Sequence, residues 1–468
     1  MTMRRFYRSM VRGVDITPFD VESHPRSPLR STLAHHPPID PAPVARQIAA
    51  VPAGGRTGLS LETRHVKHIP LVGLLAAALA VAPAQAQISD DVVKIAVLTD
   101  LTGLYSDNTG KGTVTATQMA VEDFGGTVLG KKIEVIAADH QNKADVAASL
   151  ARKWIDEEKV DVITSVANSA VALATQGITR DKNRILLNTA AATSDFTGKA
   201  CSPVGFGWTY DTYALAAGTG KAVVKQGGST WYFLTADYAF GHALERDTTA
   251  FVQEAGGKIL GSSRVPINNA DFSAFLLQAQ GSGAKVIGLA NAGGDFINSV
   301  KQAAEFGVTR GGTRLAALLA VIHDFRSLGL KAAGGLVVTD FGYWDLNDET
   351  RAFSARFMAR HGTPPNFIHL SDYGATLHYL KAVQAAGTDE AKAVAAKMRE
   401  LKVNDPVVKD GWIREDGRLM RDAWLVQVKT PEESKGPWDF YKILARIPAE
   451  EVIRPLDKGD CPLVAKKG

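Results

Sequence analysis

Short apolar runs that end in small or polar residues alternate with amphipathic stretches along most of this chain, and that alternation restricts the folds open to it. Val92–Thr99 (VVKIAVLT), Lys132–Ala137, Val160–Ser165 and Arg184–Asn188 read as strands, separated by helical stretches over Val114–Phe124, Lys143–Glu157 and Ala170–Arg180. A second unit repeats the scheme with strands at Trp231–Thr235, Ile259–Val265, Val286–Asn291, Arg314–Leu319 and Leu336–Thr339, and helices at Gly241–Ala255, Phe272–Gln280 and Ile297–Phe306. Parallel strands need a crossover connection, usually a helix, so this order predicts an α/β fold with helices on both faces of parallel sheets. The aromatic loop FGYWDLND follows, then helices Thr350–His361, Ser371–Ala386 and Glu390–Leu401, and a closing hairpin of Gly411–Ile413 with Trp424–Val428.

Val66–Gln87 (VKHIPLVGLLAAALAVAPAQAQ) has a short basic start, an apolar run from Ile69 to Val81, and small residues Ala84 and Ala86 around a cleavage point. That is the build of a secretory signal peptide cut between Ala86 and Gln87, with a core of about 13 residues that is too short to span a bilayer. The mature chain is therefore predicted to be exported. Residues 1–65 are rich in Pro, Arg and His without a helical or strand period, and no Met lies between Met10 and Met119. Translation is expected to begin at Val66, with 1–65 an artefact of gene prediction; a disordered extension is the other reading.

Of 53 Lys/Arg and 49 Asp/Glu, 10 and 5 fall within residues 1–86, so the mature part carries 43 against 44 and no basic block. An electrostatic footprint for nucleic acid is absent. The mature part, about 380 residues, exceeds the size at which one core keeps growing, so two lobes are expected. Cys201 and Cys461 are the only cysteines. In an exported protein they read as one disulfide, and neither a metal nor a cofactor is expected. Gly103–Gly112 (GLYSDNTGKG) has glycines too widely spaced for a phosphate-binding loop, with Gly112 where a magnesium-holding hydroxyl belongs. No GxGxxG follows a strand, and neither GxSxG nor HExxH occurs, so no catalytic role is predicted.

Ligands of open α/β sheets sit beyond the carboxyl ends of the strands, which directs attention to the strand-to-helix loops. In VANSA (166–170), Asn168 and Ser169 can cap a helix or donate to an anion. In NTAAATSDFT (188–197), Ala190 and Ala192 allow close backbone approach, while Thr193 brings a hydroxyl. Such a niche suits a carboxylate without a cation. Tyr105, Tyr238 and Tyr343, with Trp344, are candidate walls for an apolar ligand body, and Asp295 is a candidate acceptor or helix cap.

The blocks KIAVLTDLTGLYSDNTGKG, VDVITSVANSAVALA, RILLNTAAATSDFTG, WTYDTYALA, WYFLTADYAFGHAL, KVIGLANAGGDFINSVKQAAEFG and GGLVVTDFGYW, in this order, make Val92 to about Val428 resemble the leucine/isoleucine/valine-binding protein family. These are type I periplasmic solute receptors of ABC importers. The resemblance implies two Rossmann-like lobes, 87–210 with 342–421 and 211–341 with 422–468, hinged near Thr209–Tyr210–Asp211, Asp340–Phe341–Gly342 and Arg421–Ala423. It implies that the loops at Asn168–Ser169 and Ala190–Thr193 grip the ligand carboxylate, while Tyr238 and Asp295 approach from the second lobe. It also implies a monomer that closes on a small carboxylate and delivers it to a membrane permease served by a separate ATPase, or presents it to a signalling partner. Amino-acid-binding relatives often place an acid for the ligand amine just after the strand matching Arg314–Leu319. This chain has Ala320 and Val321 there, and His323 and Asp324 only later. A branched-chain or other hydrophobic amino acid is the expected ligand, with an aromatic or hydroxy carboxylate as the alternative that this departure raises.

Overall fold

The structure is a computed structural model that describes residues 88–464; the predicted signal peptide, its cleavage point at Ala86–Gln87 and residues 1–65 lie outside them. The first sheet contains β1 (Val92–Thr99), β2 (Thr127–Val128), β3 (Lys131–Asp139), β4 (Val162–Ser165), β5 (Ile185–Asn188) and β6 (Gly205–Gly207) in the order β2-β3-β1-β4-β5-β6. All its pairings are parallel except the short β2 edge. Successive side chains of a strand point to opposite faces, and here the two faces feed separate cores. Val93 and Ile95 of β1 join Ile185 and Leu187 of β5 on one side, while Ala96 and Leu98 join Ile163 and Leu186 on the other. Helix Gly110–Phe124 packs on helix Phe367–Ala386, and helix Ala144–Asp156 packs on helix Ser169–Asp181.

The second lobe repeats this logic with β7 (Thr230–Ala236), β8 (Lys258–Val265), β9 (Val286–Ala290) and β10 (Arg314–Ala317), all parallel, in the order β10-β9-β7-β8. Trp231 and Phe233 face one core, Tyr232 and Leu234 the other. Four further strands follow: β11 (Val337–Asp340), β12 (Trp412–Ile413), β13 (Leu419–Met420) and β14 (Ala423–Val428), before a last strand, β15 (Tyr441–Ile447). The hairpin read from the sequence is corrected: Trp412–Ile413 pairs with Leu419–Met420 across a tight turn, with Gly417 at φ 82°. β14 instead lies antiparallel between β11 and β15, since its alternating Val426 and Val428 complete the second lobe's core.

The chain passes between the lobes after β6, after β11 and between β13 and β14. Arg418 clamps the first crossing: its guanidinium donates to the carbonyls of Gly207 and Thr209, each at 3.3 Å, and sits 3.4 Å from the Asp211 carboxylate. Arg421 donates to Ser371 Oγ at 2.9 Å and to the Phe341 carbonyl, joining the third crossing to the second. Both arginines are buried. Burial lowers the Arg421 guanidinium to about 10 and pushes the neighbouring Asp340 carboxyl up to about 7. The tail then returns to the first lobe. Arg454 Nη2 donates to the Ser194 carbonyl at 2.8 Å, and Cys461 forms a disulfide with Cys201, their Cα atoms 5.6 Å apart. Among the described residues no helix is long and apolar enough to cross a membrane, and no cluster of His, Cys, Asp and Glu could hold a metal.

Candidate functional site

The loops at the carboxyl ends of β1, β4, β5, β7, β9 and β10 converge on one cavity between the lobes. From the first lobe come Tyr105, Asn108, Thr109, Ala167, Ser169, Ala190 and Ala192, with Ile368 from the start of helix Phe367–Ala386. The second lobe supplies Tyr238, Phe240, Ala292, Leu319 and Val321, and Tyr210 stands at the first crossing. Free space at the centre is about 30 Å³, room for one or two waters. No charged side chain lines it.

Each lining residue is placed by a specific local device. Asp100, fully buried at the end of β1, accepts from Gly103 N at 2.7 Å and Tyr105 N at 2.8 Å, which folds the loop back and presents Tyr105 and Asn108. A Cβ on Gly103 would lie 2.7 Å from Asp100 Oδ1, so a side chain there would push this carboxylate away. Across the cleft, Gly293 has φ 57°, and its N-terminal helix turn abuts the Leu104 carbonyl, 2.6 Å from where a Cβ would stand. The Tyr105 and Tyr238 hydroxyls meet at 2.6 Å, one from each lobe. Burial raises both phenols well above their ordinary range, so the contact joins two neutral groups. Tyr210 donates to the Ala190 carbonyl at 2.5 Å and pins the β5 loop to the crossing.

Asn168 is the N-cap of helix Ser169–Asp181, accepting from Ala170 N at 2.9 Å and Val171 N at 3.3 Å. Ser169 Oγ accepts from Thr193 N at 3.2 Å, and Asn188 accepts from Ala191 N at 2.8 Å. With those donors engaged, the backbone N–H groups of Ser169 and Ala192 have no acceptor among the described residues, and the Ser169 hydroxyl proton is still available. The amide and hydroxyl of Ser169 at a helix start, with the Ala192 amide of the β5 loop lining the same cavity, make a niche for an anion.

The structure thus brings Tyr105, Ser169, Ala190, Ala192 and Tyr238 to the cavity and leaves Asn168, Thr193, Asp295 and Tyr343 out of its lining. Asn168 caps, and Thr193 Oγ1 accepts from Asp195 N at 3.3 Å. Asp295 accepts from Asn268 N at 3.0 Å and Asn269 N at 2.9 Å, holding that loop, and burial pushes its carboxyl up to about 6. Tyr343 lies in the second lobe's core, its ring centroid 5.0 Å from that of Tyr441 and its hydroxyl donating to the Trp438 carbonyl at 3.0 Å. Asn108, Thr109, Phe240, Ala292, Leu319, Val321 and Ile368 were not expected from the sequence, and Tyr210 was expected only as hinge. Position after a strand was the available signal for most of them.

A second set of contacts closes the rim. His323 of helix Ile322–Leu328 meets Thr363 Oγ1 at 3.2 Å and Asn366 Nδ2 at 3.3 Å from the other lobe, and its ring lies 5.7 Å from that of His369. Burial lowers His323 to about 4 and His369 well below the usual histidine range, so both are neutral here.

Comparison with known proteins gives a consistent relationship. A family model described as periplasmic binding protein matches residues 92–437. A Leu/Ile/Val-binding protein homolog of Brucella melitensis is 27% identical over 342 residues, 71% of this chain and 85% of that protein. The crystal structure of a periplasmic binding protein from Burkholderia mallei superposes with a TM-score of 0.79 at 48% identity, covering 80% of this chain and 99% of that one. A branched chain amino acid ABC transporter periplasmic ligand-binding protein from Burkholderia xenovorans gives 0.71 at 38% identity, covering 79% and 99%.

Proposed function

The chain belongs to the periplasmic binding protein family, and on that premise we propose that it captures a small organic carboxylate with an apolar body by closure of its two lobes. The family is one of solute-binding proteins of ABC transporters rather than of enzymes. In this reading the ligand's carboxylate takes the unpaired Ser169 and Ala192 amides and the Ser169 hydroxyl. Tyr210, Phe240, Leu319, Val321 and Ile368 enclose its body. The free space of about 30 Å³ is too small for such an acid, which supports a reading in which the lobes part to admit it and close over it. Only ligand contacts made preferentially in the closed form let the ligand shift that equilibrium, while the Tyr105–Tyr238 hydrogen bond across the cleft adds to the closed form's own stability. The closed form, in the periplasm, then docks on a membrane permease driven by a separate ATPase.

The observation that carries this reading is the pair of unpaired amides in an uncharged cavity. The test is calorimetric titration of the mature protein with apolar carboxylates, preceded by mass spectrometry of small molecules released on denaturation. Ser169→Ala is expected to weaken a bound acid by about 1–3 kcal/mol, because a buried carboxylate loses one donor. Equal affinity in the variant would reject the niche. A branched-chain amino acid is the second reading, favoured by the Burkholderia xenovorans relative at 38% identity; tight binding of leucine or valine would establish it.

A further inference from the structure

Asn108 is held on every side but one. Its backbone N–H donates to the Tyr105 carbonyl at 3.0 Å, its own carbonyl accepts from Asn366 Nδ2 at 2.9 Å, and its amide NH2 donates to Asp324 Oδ2 at 3.4 Å. The remaining atom, Oδ1, is buried and has no hydrogen-bond partner, and the residue lines the cleft cavity. A buried acceptor without a donor is costly, and among the described residues Asn108 is the one with such a side-chain atom that also lines the cleft cavity. We infer that Asn108 reads a neutral hydrogen-bond donor on the ligand, a hydroxyl group, so that the preferred substrates are hydroxylated carboxylates. This rests on the reading that the cleft holds an organic acid.

Three features distinguish a hydroxyl from the ammonium of an amino acid. No carboxylate lines the cavity, and Asp324, just behind Asn108, accepts from the Asn108 amide and from Val321 N at 2.8 Å. Asp324 therefore turns the amide so that its oxygen, not its nitrogen, is left over. An ammonium would bury a full charge against a single amide dipole, with two further protons to satisfy, whereas a hydroxyl asks for one acceptor. Asp324 comes from the second lobe and Asn108 from the first, so the amide reaches this orientation only when the lobes meet.

The test uses matched acids on the mature protein freed of any co-purified small molecule: 4-hydroxybenzoate against benzoate, and 2-hydroxy-4-methylpentanoate against 4-methylpentanoate and leucine. In at least one pair the hydroxylated acid should bind about ten-fold or more tightly than its counterpart, a loss typical of stranding a buried polar group. In Asn108→Leu that preference should shrink to within about two-fold; Asn108→Ala serves if the leucine variant melts at a much lower temperature. Hydroxylated and unhydroxylated acids binding alike in the unaltered protein would overturn the inference while leaving acid capture standing. So would a preference that persists in the variant, or leucine binding tightest of all. If no acid binds, the underlying reading fails first.

Discussion

Two seams join the lobes, and they are made of different chemistry. At the hinge the contacts are ionic or covalent and buried: Arg418 on Asp211 and two carbonyls, Arg421 on Ser371 and Phe341, Ser194 Oγ donating to Asp247 Oδ2 at 2.8 Å, and the Cys201–Cys461 disulfide. At the mouth they are mostly single hydrogen bonds between neutral groups: Tyr105 with Tyr238, and His323 with Thr363 and Asn366. A neutral hydrogen bond nets about 1 kcal/mol, since water replaces it on opening, whereas stranding a buried charge costs several. Under the proposed closure, the hinge seam is the one that would persist and the mouth seam the one that would exchange.

The sharpest way to break that contrast is at Arg418. In Arg418→Met the Asp211 carboxylate and two carbonyls lose their buried donor, and urea unfolding should show a loss of about 3–5 kcal/mol with an unchanged slope. A loss below about 1 kcal/mol would mean water already serves these groups. Replacing both Cys201 and Cys461 by Ala opens a link 260 residues apart in sequence and should cost about 2–5 kcal/mol. Thermal melting with and without reductant measures it, and acid binding should survive, because neither cysteine lines the cavity.

The mouth seam is tested by pH. His323 falls from 6.5 to about 4 through burial, so the unfolded chain holds the proton more tightly than the folded one. Its contribution is therefore present above about pH 6.5 and is lost as pH falls toward 4, a change of about 3 kcal/mol. Asp324, raised to about 7 by burial, acts with the opposite sign: its contribution is present below about 4 and is lost as pH rises through 7. Imidazole NMR isolates the histidine from the carboxylate. The His323 ring should stay neutral at pH 5.5 in the closed protein, and titration near 6.5 would show the rim open to water.

What the sequence made legible divides along the same line. Strand periodicity marked both sheets, because buried parallel strands need near-continuous apolar runs whose two faces feed two cores. Small residues after β4 and β5 marked Ser169, Ala190 and Ala192, since close backbone approach excludes larger side chains. Asn108 was hidden: in SDNTG it looks like an ordinary turn residue, and only the Asp100 clasp, made with Gly103 and Tyr105, turns it inward. Tyr343 shows the converse, an aromatic beside the hinge whose local sequence is the same whether it faces a ligand or packs on Tyr441. The pairing of β14 was misread because Arg414–Arg421 already folds on itself through Gly417, a register that no apolar pattern announces.

The smallest effect probes the mouth most directly. Tyr105→Phe and Tyr238→Phe each delete one hydroxyl of a contact 2.6 Å long that crosses the cleft between neutral phenols. Each ring keeps its apolar packing, so folding stability should hardly change while ligand affinity drops by about 0.5–1.5 kcal/mol. The two losses should not add: once one hydroxyl is gone the other has no partner across the cleft, and the double variant should be about as weak as either single one. Calorimetric titration of the four proteins measures that coupling. Fully additive losses would mean that each hydroxyl acts on the ligand separately, and the mouth would then be held by the ligand rather than by the protein's own seam.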